Sequence, residues 1–470
     1  MSDNFSQLRR QITAGDVLLP GDAGYQESLK RWSDSSEKPA AVVVRVTSAE
    51  EVSAAIRFAT AHKVPLTARG GGHSTSGASS SAGGMVIDLT RMRKVSVDAE
   101  ARTVTYEGGC VFGDVDSALA VHGLATVGGL YNQTGVGGLV LGGGHGFLSA
   151  RHGLAVDNLV SVEMVLADGS IADVSETQKP DLFWGVRGAG AQFGIVTRFT
   201  SRAHPQGDVW GGPLLFTLDK VPELVAFANE FHNRGASDHN CIIVFACAPP
   251  EYTMPVVIVG VFYNGLETEA EQFFAPLLAL SPIANLTGMM PYPTTHTLFN
   301  SRFEGPGRKL MGSCSVLMPL DADTIAEAGR RFLDFITSHN MTTSILAFEF
   351  FPTAAIRATP HEATAFANRG EHYVAVMGLM YDDPSQDAEV RAFKRELSDY
   401  IITTCGYHGK RAPGDPAPFY LNLEHESLSP GDPLATTSKG CASSSASTTL
   451  RIVFHKWHGV MVEPKTSTNA

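Results

Sequence analysis

The stretch Arg69-Gly70-Gly71-Gly72-His73-Ser74 decides how the rest of the chain is interpreted. Three consecutive glycines remove every Cβ atom at one place, so backbone N–H groups can approach a large anionic ligand closely. A histidine directly after such a loop is held near that ligand. The same stretch could instead be a mobile surface loop with an incidental histidine, because glycine runs are common in loops.

A second glycine-rich segment follows, and it contains Gly135-Val136-Gly137-Gly138 and Gly142-Gly143-Gly144-His145-Gly146. So many glycines disfavour one continuous helix. Two separate glycine tracts in one part of the chain predict a long ligand that is gripped from two sides. The alternative is two unrelated loops, since biased segments often carry no function.

The first glycine loop comes at the end of a strand–helix–strand pattern. Val42–Val46 is a β-branched strand, Ser48 and Glu51 form a capping box, a helix runs to about His62, and Val64–Ala68 is the next strand. The glycines follow the second strand, and no G-x-G-x-x-G opens the helix. The pattern is therefore neither the common dinucleotide-binding unit nor a P-loop, which would need Gly-Lys-Ser/Thr.

More strands follow the glycine loop. Met85–Leu89 and Thr103–Tyr106 have strand composition, and a helix is expected from Phe112 to His122. The segment Val162–Val174 predicts a hairpin, with Asp168-Gly169 as its type I′ turn.

The composition changes near Pro205, where glycine thins out and strands alternate with amphipathic helices. A second domain to about Arg411 is expected, with a mixed or antiparallel sheet covered by helices, and hence an α+β protein. The predicted elements are strands Ile242–Phe245, Val256–Val261, Ser313–Met318 and Ile345–Phe351, and helices Glu267–Leu278 and Ala322–Ser338.

The whole chain has 470 residues and a formal net charge of -12, which argues against a nucleic-acid partner because phosphate binding needs a basic surface. No apolar run is long enough for a membrane helix, and the first residues have no apolar signal core, so a cytoplasmic protein is expected. The six cysteines are far apart and form no C-x-x-C pair. They are interpreted as small buried thiols, and no metal site is predicted.

Several motifs in a fixed order carry a family resemblance. They are the two glycine tracts with His73 and His145, then Gly153-Leu154-Ala155-Val156-Asp157-Asn158, Asp181-Leu182-Phe183-Trp184, Phe193-Gly194-Ile195-Val196-Thr197 and Tyr420-Leu421-Asn422. Together they resemble the FAD-linked oxidases of the berberine bridge enzyme type, in the vanillyl-alcohol-oxidase or PCMH-type flavoprotein superfamily. The resemblance is dense from Lys38 to Pro205 and looser beyond.

The resemblance implies a two-domain α+β fold. An N-terminal segment would cover residues 1–37, a PCMH-type FAD-binding domain 38–205, and a substrate-binding domain 206–411 that roofs the flavin. Residues 412–470 would return to the FAD domain. The last part departs from the family, because the segment after residue 427 consists mainly of small and polar residues without regular periodicity. It could be a disordered end, or it could leave the site incomplete.

The resemblance also implies that His73 is bonded to the flavin 8α-methyl group, with a non-covalent contact as the alternative. Many relatives attach the flavin a second time through a cysteine, but Tyr131 stands at that position here. Single covalent attachment of FAD is therefore expected, and Tyr131 could stack on the ring. Thr134 lies near the place that controls oxygen access in the family.

The other residues expected to bind FAD come from the same motifs. They are Arg69, Gly70, Gly71, Gly72, Ser74, Gly77, Gly135, Gly137, Gly138, His145, Gly146, Asp157, Asn158, Gly194, Ile195, Val196 and Asn422. For His145 a purely structural role is the alternative.

Two residues are candidates for the catalytic base. Tyr420 matches the tyrosine of the family's Tyr-x-Asn segment, and it would need activation because a free tyrosine has a pKa near 10. Glu349 is a carboxylate on an apolar strand, and burial would raise its pKa. Tyr420 could instead only pack, and Glu349 could face solvent, since strand faces alternate.

The reaction implied by the resemblance is a two-electron oxidation of a small organic substrate. Hydride would pass to flavin N5, and O2 would reoxidise the flavin to give H2O2. The substrate would be an intermediate of specialised metabolism or an alcohol or carbohydrate. A flavin dehydrogenase with another acceptor and an inactive flavin-binding protein remain as alternatives, the latter because of the atypical tail.

Overall fold

A computed structural model describes residues 2–234, 237–366, 368–406 and 423. The first elements are α1 (Ser2–Gln11), β1 (Asp16–Leu18), α2 (Tyr25–Leu29), β2 (Val42–Arg45), α3 (Ala49–Ala61), β3 (Leu66–Arg69) and β4 (Met85–Asp88). Four of these described strands form a sheet in the order β1–β2–β4–β3. β4 lies between β2 and β3 and pairs with both in parallel, so the strand–helix–strand prediction is confirmed with β4 inserted in the middle.

The predicted capping box at the start of α3 is only half formed. The Ser48 hydroxyl accepts a hydrogen bond from the Glu51 N–H at 3.4 Å, as an N-cap does. The Glu51 carboxylate does not return to Ser48. It accepts from three successive N–H groups, those of residues 13–15, at 2.8–3.0 Å, and so ties the segment after α1 to this helix. The Glu51 carboxylate bonds to residues 13–15 rather than to the Ser48 N–H because this arrangement satisfies three backbone donors instead of one.

The next elements are β5 (Val95–Asp98), β6 (Thr103–Glu107), α4 (Phe112–Ala120), β7 (Leu124–Ala125), α5 (Val136–Leu141), α6 (Ser149–His152), β8 (Leu159–Val165), β9 (Ile171–Ser175), α7 (Pro180–Ala189), β10 (Ile195–Arg202) and β11 (His204–Pro205). Among them, five strands form an antiparallel sheet in the order β5–β6–β10–β8–β9. β7 pairs with β11. The predicted helix at Phe112 ends two residues earlier than expected.

The hairpin between β8 and β9 is confirmed, but its turn is not type I′. The strands pair up to Val165 with Ile171, and the Leu166 N–H donates to the Ser170 carbonyl at 2.9 Å, which leaves a three-residue loop. Only Gly169 has a positive φ, 79°, whereas a type I′ turn needs positive φ at both central residues. The Asp168 carboxylate instead accepts hydrogen bonds from the Ser170 N–H at 2.8 Å and its hydroxyl at 2.6 Å. These local bonds hold Asp168 in the ordinary backbone region.

The remaining elements are β12 (Val209–Phe216), α8 (Val221–Arg234), β13 (His239–Cys247), β14 (Pro255–Tyr263), α9 (Glu267–Leu278), β15 (Ala284–Asn285), β16 (Gly288–Met290), α10 (Tyr292–Thr295), α11 (Asn300–Phe303), β17 (Arg308–Val316), α12 (Ala322–Ser338), β18 (Ile345–Phe350), α13 (Ala354–Ala358), β19 (Tyr373–Tyr381) and α14 (Asp387–Cys405). The described strands form one antiparallel sheet, β15–β12–β14–β13–β18–β19–β17, with β16 also on β12. The α+β prediction is confirmed. The sequence left open whether this sheet is mixed or antiparallel, and the structure shows that it is antiparallel.

Both faces of this large sheet are covered, which explains its almost continuous apolar strands. Ile243 and Phe245 of β13 lie in a core with helices α8, α9, α12 and α14. Ile242 and Val244, on the opposite face, belong to the core shared with the first half of the chain. Alternate residues of each strand therefore point to the helices and to the first half of the chain.

Five cysteines lie in the described residues, and all five are buried thiols, as predicted: Cys110, Cys241, Cys247, Cys314 and Cys405. Cys441 lies outside the described residues. No helix in the described ranges combines the length and the apolar character that crossing a membrane requires.

Candidate functional site

A cavity of about 300 Å³ lies between the two glycine tracts and the large antiparallel sheet. Gly70–Gly72, directly after β3, form one part of its wall, and residues 135, 137 and 138 at the start of α5 form another. The sheet contributes apolar side chains from five strands, among them Ile242, Ile258 and Val376. One wall is thus bare backbone and the opposite wall is aliphatic.

The two glycine tracts touch each other, so they are not unrelated loops. A Cβ atom on Gly71 would lie 2.6 Å from the Cα and 2.7 Å from the N of Gly135. A Cβ on Gly135 would in turn lie 2.5 Å from the N of Gly71. Real Cβ atoms do not approach backbone this closely, so glycine is required on both sides.

We expect Gly71→Ala to lower the free energy of unfolding by about 1–3 kcal/mol, because the new methyl group must push two backbone segments apart. Gly138→Ala is the matched control. It lies in α5, its Cβ would meet nothing within 4 Å, and the change should be below about 1 kcal/mol. Urea unfolding of both variants in flavin-free form measures the difference, because loss of FAD would by itself lower the stability of the loaded protein. Equal stabilities would show that the contact between the tracts does not hold the loop.

His73 lines the cavity and packs on Trp32. The imidazole stacks on the indole with 4.0 Å between ring centroids and 14° between planes. The Trp32 backbone N–H donates to the Gly72 carbonyl at 3.1 Å, which ties the main chain of Trp32 to the glycine loop. The orientation of His73 therefore depends on a residue from the N-terminal segment.

A buried cation stands behind this stack. Lys309 is 3% exposed, and its Nζ lies 5.3 Å from the Trp32 ring centroid and donates to the Trp32 carbonyl at 2.8 Å. Burial lowers the pKa of His73 to about 4, and the positive charge of Lys309 adds to this effect. The His73 imidazole is therefore neutral at physiological pH, with a lone pair available.

Tyr131 and Phe303 continue the aromatic lining beside His73. Their rings meet edge to face with 4.9 Å between centroids, and Phe303 also lies 6.1 Å from Trp32. Burial raises the pKa of Tyr131, and the negative charge of Glu349 adds to the rise. The phenol therefore stays protonated and can donate a hydrogen bond into the cavity.

Glu349 and His145 form a polar pair on the cavity wall. Glu349 Oε2 lies 2.9 Å from His145 Nε2, which joins β18 to the second glycine tract across 204 residues of sequence. Glu349 is 7% exposed, so the solvent-facing alternative is wrong: its strand is buried on both faces, and it shares a face with Ile242, its partner on β13. The pair also lines a second, smaller cavity of about 50 Å³ that reaches His372.

Fifteen of the predicted site residues line the large cavity. They are Gly70, Gly71, Gly72, His73, Ser74, Tyr131, Thr134, Gly135, Gly137, Gly138, His145, Gly194, Ile195, Val196 and Glu349. Tyr420 and Asn422 lie outside the described residues.

The other five predicted residues lie off the cavity wall and have contacts of their own. Arg69 Nη1 donates to Asp88 at 3.0 Å, at the ends of the parallel strands β3 and β4. Asp157 pairs with Arg369 at 2.6 Å, and Asn158 donates to the carbonyls of residues 152 and 154 at 2.9 Å.

The two remaining glycines, Gly77 and Gly146, belong to tight turns rather than to the cavity wall. A Cβ on Gly77, whose φ is 76°, would lie 3.0 Å from Lys38 Nζ, and one on Gly146 would lie 2.3 Å from the Gly128 carbonyl oxygen. Glycine is needed at these two positions for packing around the loops.

Three residues of the site were not found from the sequence: Trp32, Lys309 and Arg302. Trp32 comes from a polar, turn-rich segment without periodicity, and Arg302 from the four-residue helix α11. Lys309 is a buried cation near the start of β17, directly after Arg308. Charged residues at the ends of strands are mostly exposed, so the Arg308-Lys309 pair gave no signal of a buried charge.

The chain is similar to known proteins over most of its length. Residues 40–175 match the FAD binding domain family. The FAD-linked oxidoreductase pgmH of Aspergillus terreus is 37% identical over 437 residues, which are 90% of this chain and 88% of that protein. The FAD-linked oxidoreductase hasG of Aspergillus fumigatus is 32% identical over 438 residues, 90% of this chain and 91% of that protein.

Solved structures share the fold. 6-Hydroxy-D-nicotine oxidase from Arthrobacter nicotinovorans superposes with a TM-score of 0.81 at 23% identity, covering 95% of this chain and 98% of that one. BBE-like 1 of Physcomitrella patens gives a TM-score of 0.82 at 19% identity, covering 98% and 100%. At sequence identities of 23% and 19%, the similarity to these two structures shows the fold alone.

Proposed function

Because this chain belongs to the FAD-linked oxidoreductase family, we propose that it is an oxidase of a small, largely apolar organic molecule, with FAD bonded to His73. The predicted berberine-bridge-type fold and the binding of FAD are confirmed by the relatives, the matching domain and the shared fold. The covalent bond, the roles of the site residues and the final electron acceptor are our proposals.

One observation carries the proposal: a neutral imidazole lines the glycine wall of a cavity, and a buried carboxylate lines the same cavity from the large sheet. His73 and Glu349 line the same cavity, and each is fixed by a partner, Trp32 and His145 respectively. A flat redox ring between these walls would have the tether on one side and an acid–base group on the other.

The glycine wall fits a large cofactor. A Cβ on Gly138 would meet no atom within 4 Å, and one on Gly137 would meet only the Gly108 carbonyl oxygen, at 3.6 Å. Both positions line the cavity, so side chains there would occupy ligand space rather than clash with protein. Gly138→Ala should therefore keep the stability of the fold while lowering FAD content.

When bound, FAD supplies a two-electron acceptor for the hydride that leaves the substrate. The residues that would hold it are the glycines of both tracts, with His73 as the tether and Ile195 and Val196 of β10 beside it. Tyr131 occupies the position of the second attachment in many relatives, and a phenol does not replace a thiolate there. We therefore propose a single covalent bond.

Glu349 is the residue we propose as catalytic base. Its carboxylate would take the proton of the substrate hydroxyl at Oε2 or Oε1, and His145 Nε2, 2.9 Å from Oε2, keeps it oriented. The smaller cavity behind the pair, which reaches His372, offers a route by which the proton can leave. Apolar residues such as Phe147 and Ala347 line the same cavity, which favours a site with little water around the base.

The aliphatic wall favours an apolar natural-product substrate over a carbohydrate. Sugars need many hydrogen-bond partners, and this wall consists of Ile242, Val244, Ile258, Ile345 and Val376. We propose O2 as the acceptor that completes the cycle and H2O2 as the product.

The proposal is tested by mixing the purified holoprotein with a panel of hydroxylated aromatic and alicyclic compounds. Bleaching of the flavin under argon, followed by recovery with peroxide release under air, is the expected result. Bleaching without recovery in air, but with recovery on adding a dye, would identify a dehydrogenase instead. A fully loaded flavin that no compound bleaches would contradict the enzymatic function.

A further inference from the structure

Arg302 is a buried cation in the wall of the proposed substrate cavity. It lies on α11, is 6% exposed and borders the cavity with Phe299 and Phe303. Its Nη2 donates to the Cys247 carbonyl at 2.8 Å and its Nη1 to the Thr343 carbonyl at 3.4 Å, while the guanidinium lies 4.7 Å from the Tyr252 ring centroid. Burial lowers its pKa, yet an arginine remains charged.

The other buried arginines of the described chain are compensated more fully. Arg369 pairs with the Asp157 carboxylate at 2.6 and 3.0 Å. Arg31 donates to carbonyl and hydroxyl oxygens of Ser28, Lys30 and Ser79 at 2.7–3.2 Å. Arg302 has two carbonyl acceptors and, among the described residues, no carboxylate within ion-pair distance. Three of its five N–H groups therefore have no acceptor in this part of the chain.

The cavity wall itself supplies no counter-charge for Arg302. Among the described lining residues, Glu349 is the sole carboxylate, and its partner is His145 rather than Arg302. An unpaired buried charge is costly, and the cost is offset when an anion with matching geometry enters the site. The planar guanidinium presents paired N–H groups that fit the two oxygens of a carboxylate.

We infer that the substrate carries a carboxylate on an apolar body and that Arg302 binds this carboxylate. The inference rests on the proposed oxidase function and names the substrate class of its site. Tyr131 lies within electrostatic reach of both Arg302 and Glu349, which places the anion-binding group and the proposed base around one cavity. The oxidised carbon would lie toward Glu349 and the acid group toward Arg302.

The experiment compares naphthalene-2-carboxylate with naphthalene-2-carboxamide, which differs mainly in charge. Binding of each to the purified protein is measured by calorimetry, which reports affinity whether or not a substrate is turned over. We expect the carboxylate to bind at least about tenfold more tightly than the amide, as charge-assisted hydrogen bonds to arginine require. Arg302→Met should remove this preference and change the amide affinity less than about threefold, and Arg302→Lys should retain part of it.

Arg187→Met is the matched control. Arg187 also lies over an aromatic ring, 4.4 Å from the Phe183 centroid, and donates to the Ala363 carbonyl, but it is not part of the cavity wall. It should leave both affinities unchanged. Equal binding of the two probes to the unmodified protein, no binding of either, or a preference that survives Arg302→Met would overturn the inference. Equal binding of the two probes and the absence of binding are both measured on the unmodified protein. The inference can therefore be contradicted even if an Arg302 variant fails to fold. Failure of the oxidase proposal would appear separately, as an unbleached flavin.

Discussion

Replacing His73 with alanine is expected to abolish acid-stable flavin completely. In the unmodified protein the yellow colour should stay with the precipitate after acid treatment, because a covalent bond survives unfolding. In His73→Ala the glycine wall and the apolar sheet remain, so FAD should still bind in the native state but should be released into the supernatant. Absorbance of the two fractions at the flavin maximum measures this partition.

His122→Ala serves as the control, because His122 is exposed and does not line the cavity. It should retain all of its flavin in the precipitate. Acid-stable flavin in His73→Ala, or flavin lost equally from both variants, would show that the bond is made elsewhere or not at all. Native FAD content and thermal unfolding of both variants exclude a simple loss of fold.

The same bond should form at a rate that hardly depends on pH near neutrality. An imidazole with the ordinary pKa of about 6.5 would be largely protonated at pH 5.5, and the rate of attachment would fall there. Burial and Lys309 lower the pKa of His73 to about 4, so its lone pair is present down to about pH 5. Incubation of the flavin-free protein with FAD across this range measures the rate. A midpoint near pH 6.5 would contradict the role of the buried environment.

Glu349→Gln is expected to slow substrate oxidation by roughly 10²–10⁴-fold, the usual contribution of a general base. Glutamine has the same shape and can keep a hydrogen bond to His145, so the packing of β18 should survive. The amide cannot accept the proton of the substrate hydroxyl. Stopped-flow measurement of flavin bleaching under argon, with a compound found active in the panel, gives the rate of this step directly.

Glu371→Gln is the matched control for Glu349, since Glu371 is an exposed carboxylate paired with Arg357 at 3.0 Å. Its bleaching rate should stay within about twofold of the unmodified rate. If Glu349→Gln also bleached within about threefold of that rate, Glu349 would not be the base. Tyr420, the other candidate, would then be the next residue to replace.

The parts of the site that the sequence predicted are those whose chemistry is local. The glycine run before His73 can be recognised from the sequence because the absence of a Cβ atom is a property of glycine itself and does not depend on its surroundings. Helix α12 was predicted with its observed bounds, Ala322–Ser338, because Asp321 caps it and its apolar face repeats regularly. Such features need no knowledge of the partner surface.

The parts that the sequence missed depend on what lies opposite. Trp32 is important because its ring stacks on His73, and no pattern in the polar segment around Trp32 predicts that contact. For Glu349, strand alternation suggested solvent, but β18 is covered on both faces, by helices on one side and by the first half of the chain on the other. The turn at Asp168 was misjudged because its side chain competes locally with the two-residue turn.

The measurement that tests the central claim most directly is mass analysis of the flavin-bearing peptide. Trypsin should release residues 70–91, which contain His73, and residues 103–151, which contain Tyr131. The account predicts that the first peptide is yellow and heavier by one FAD, and that the second is unmodified. FAD on the second peptide, or both peptides at their unmodified masses, would contradict the account.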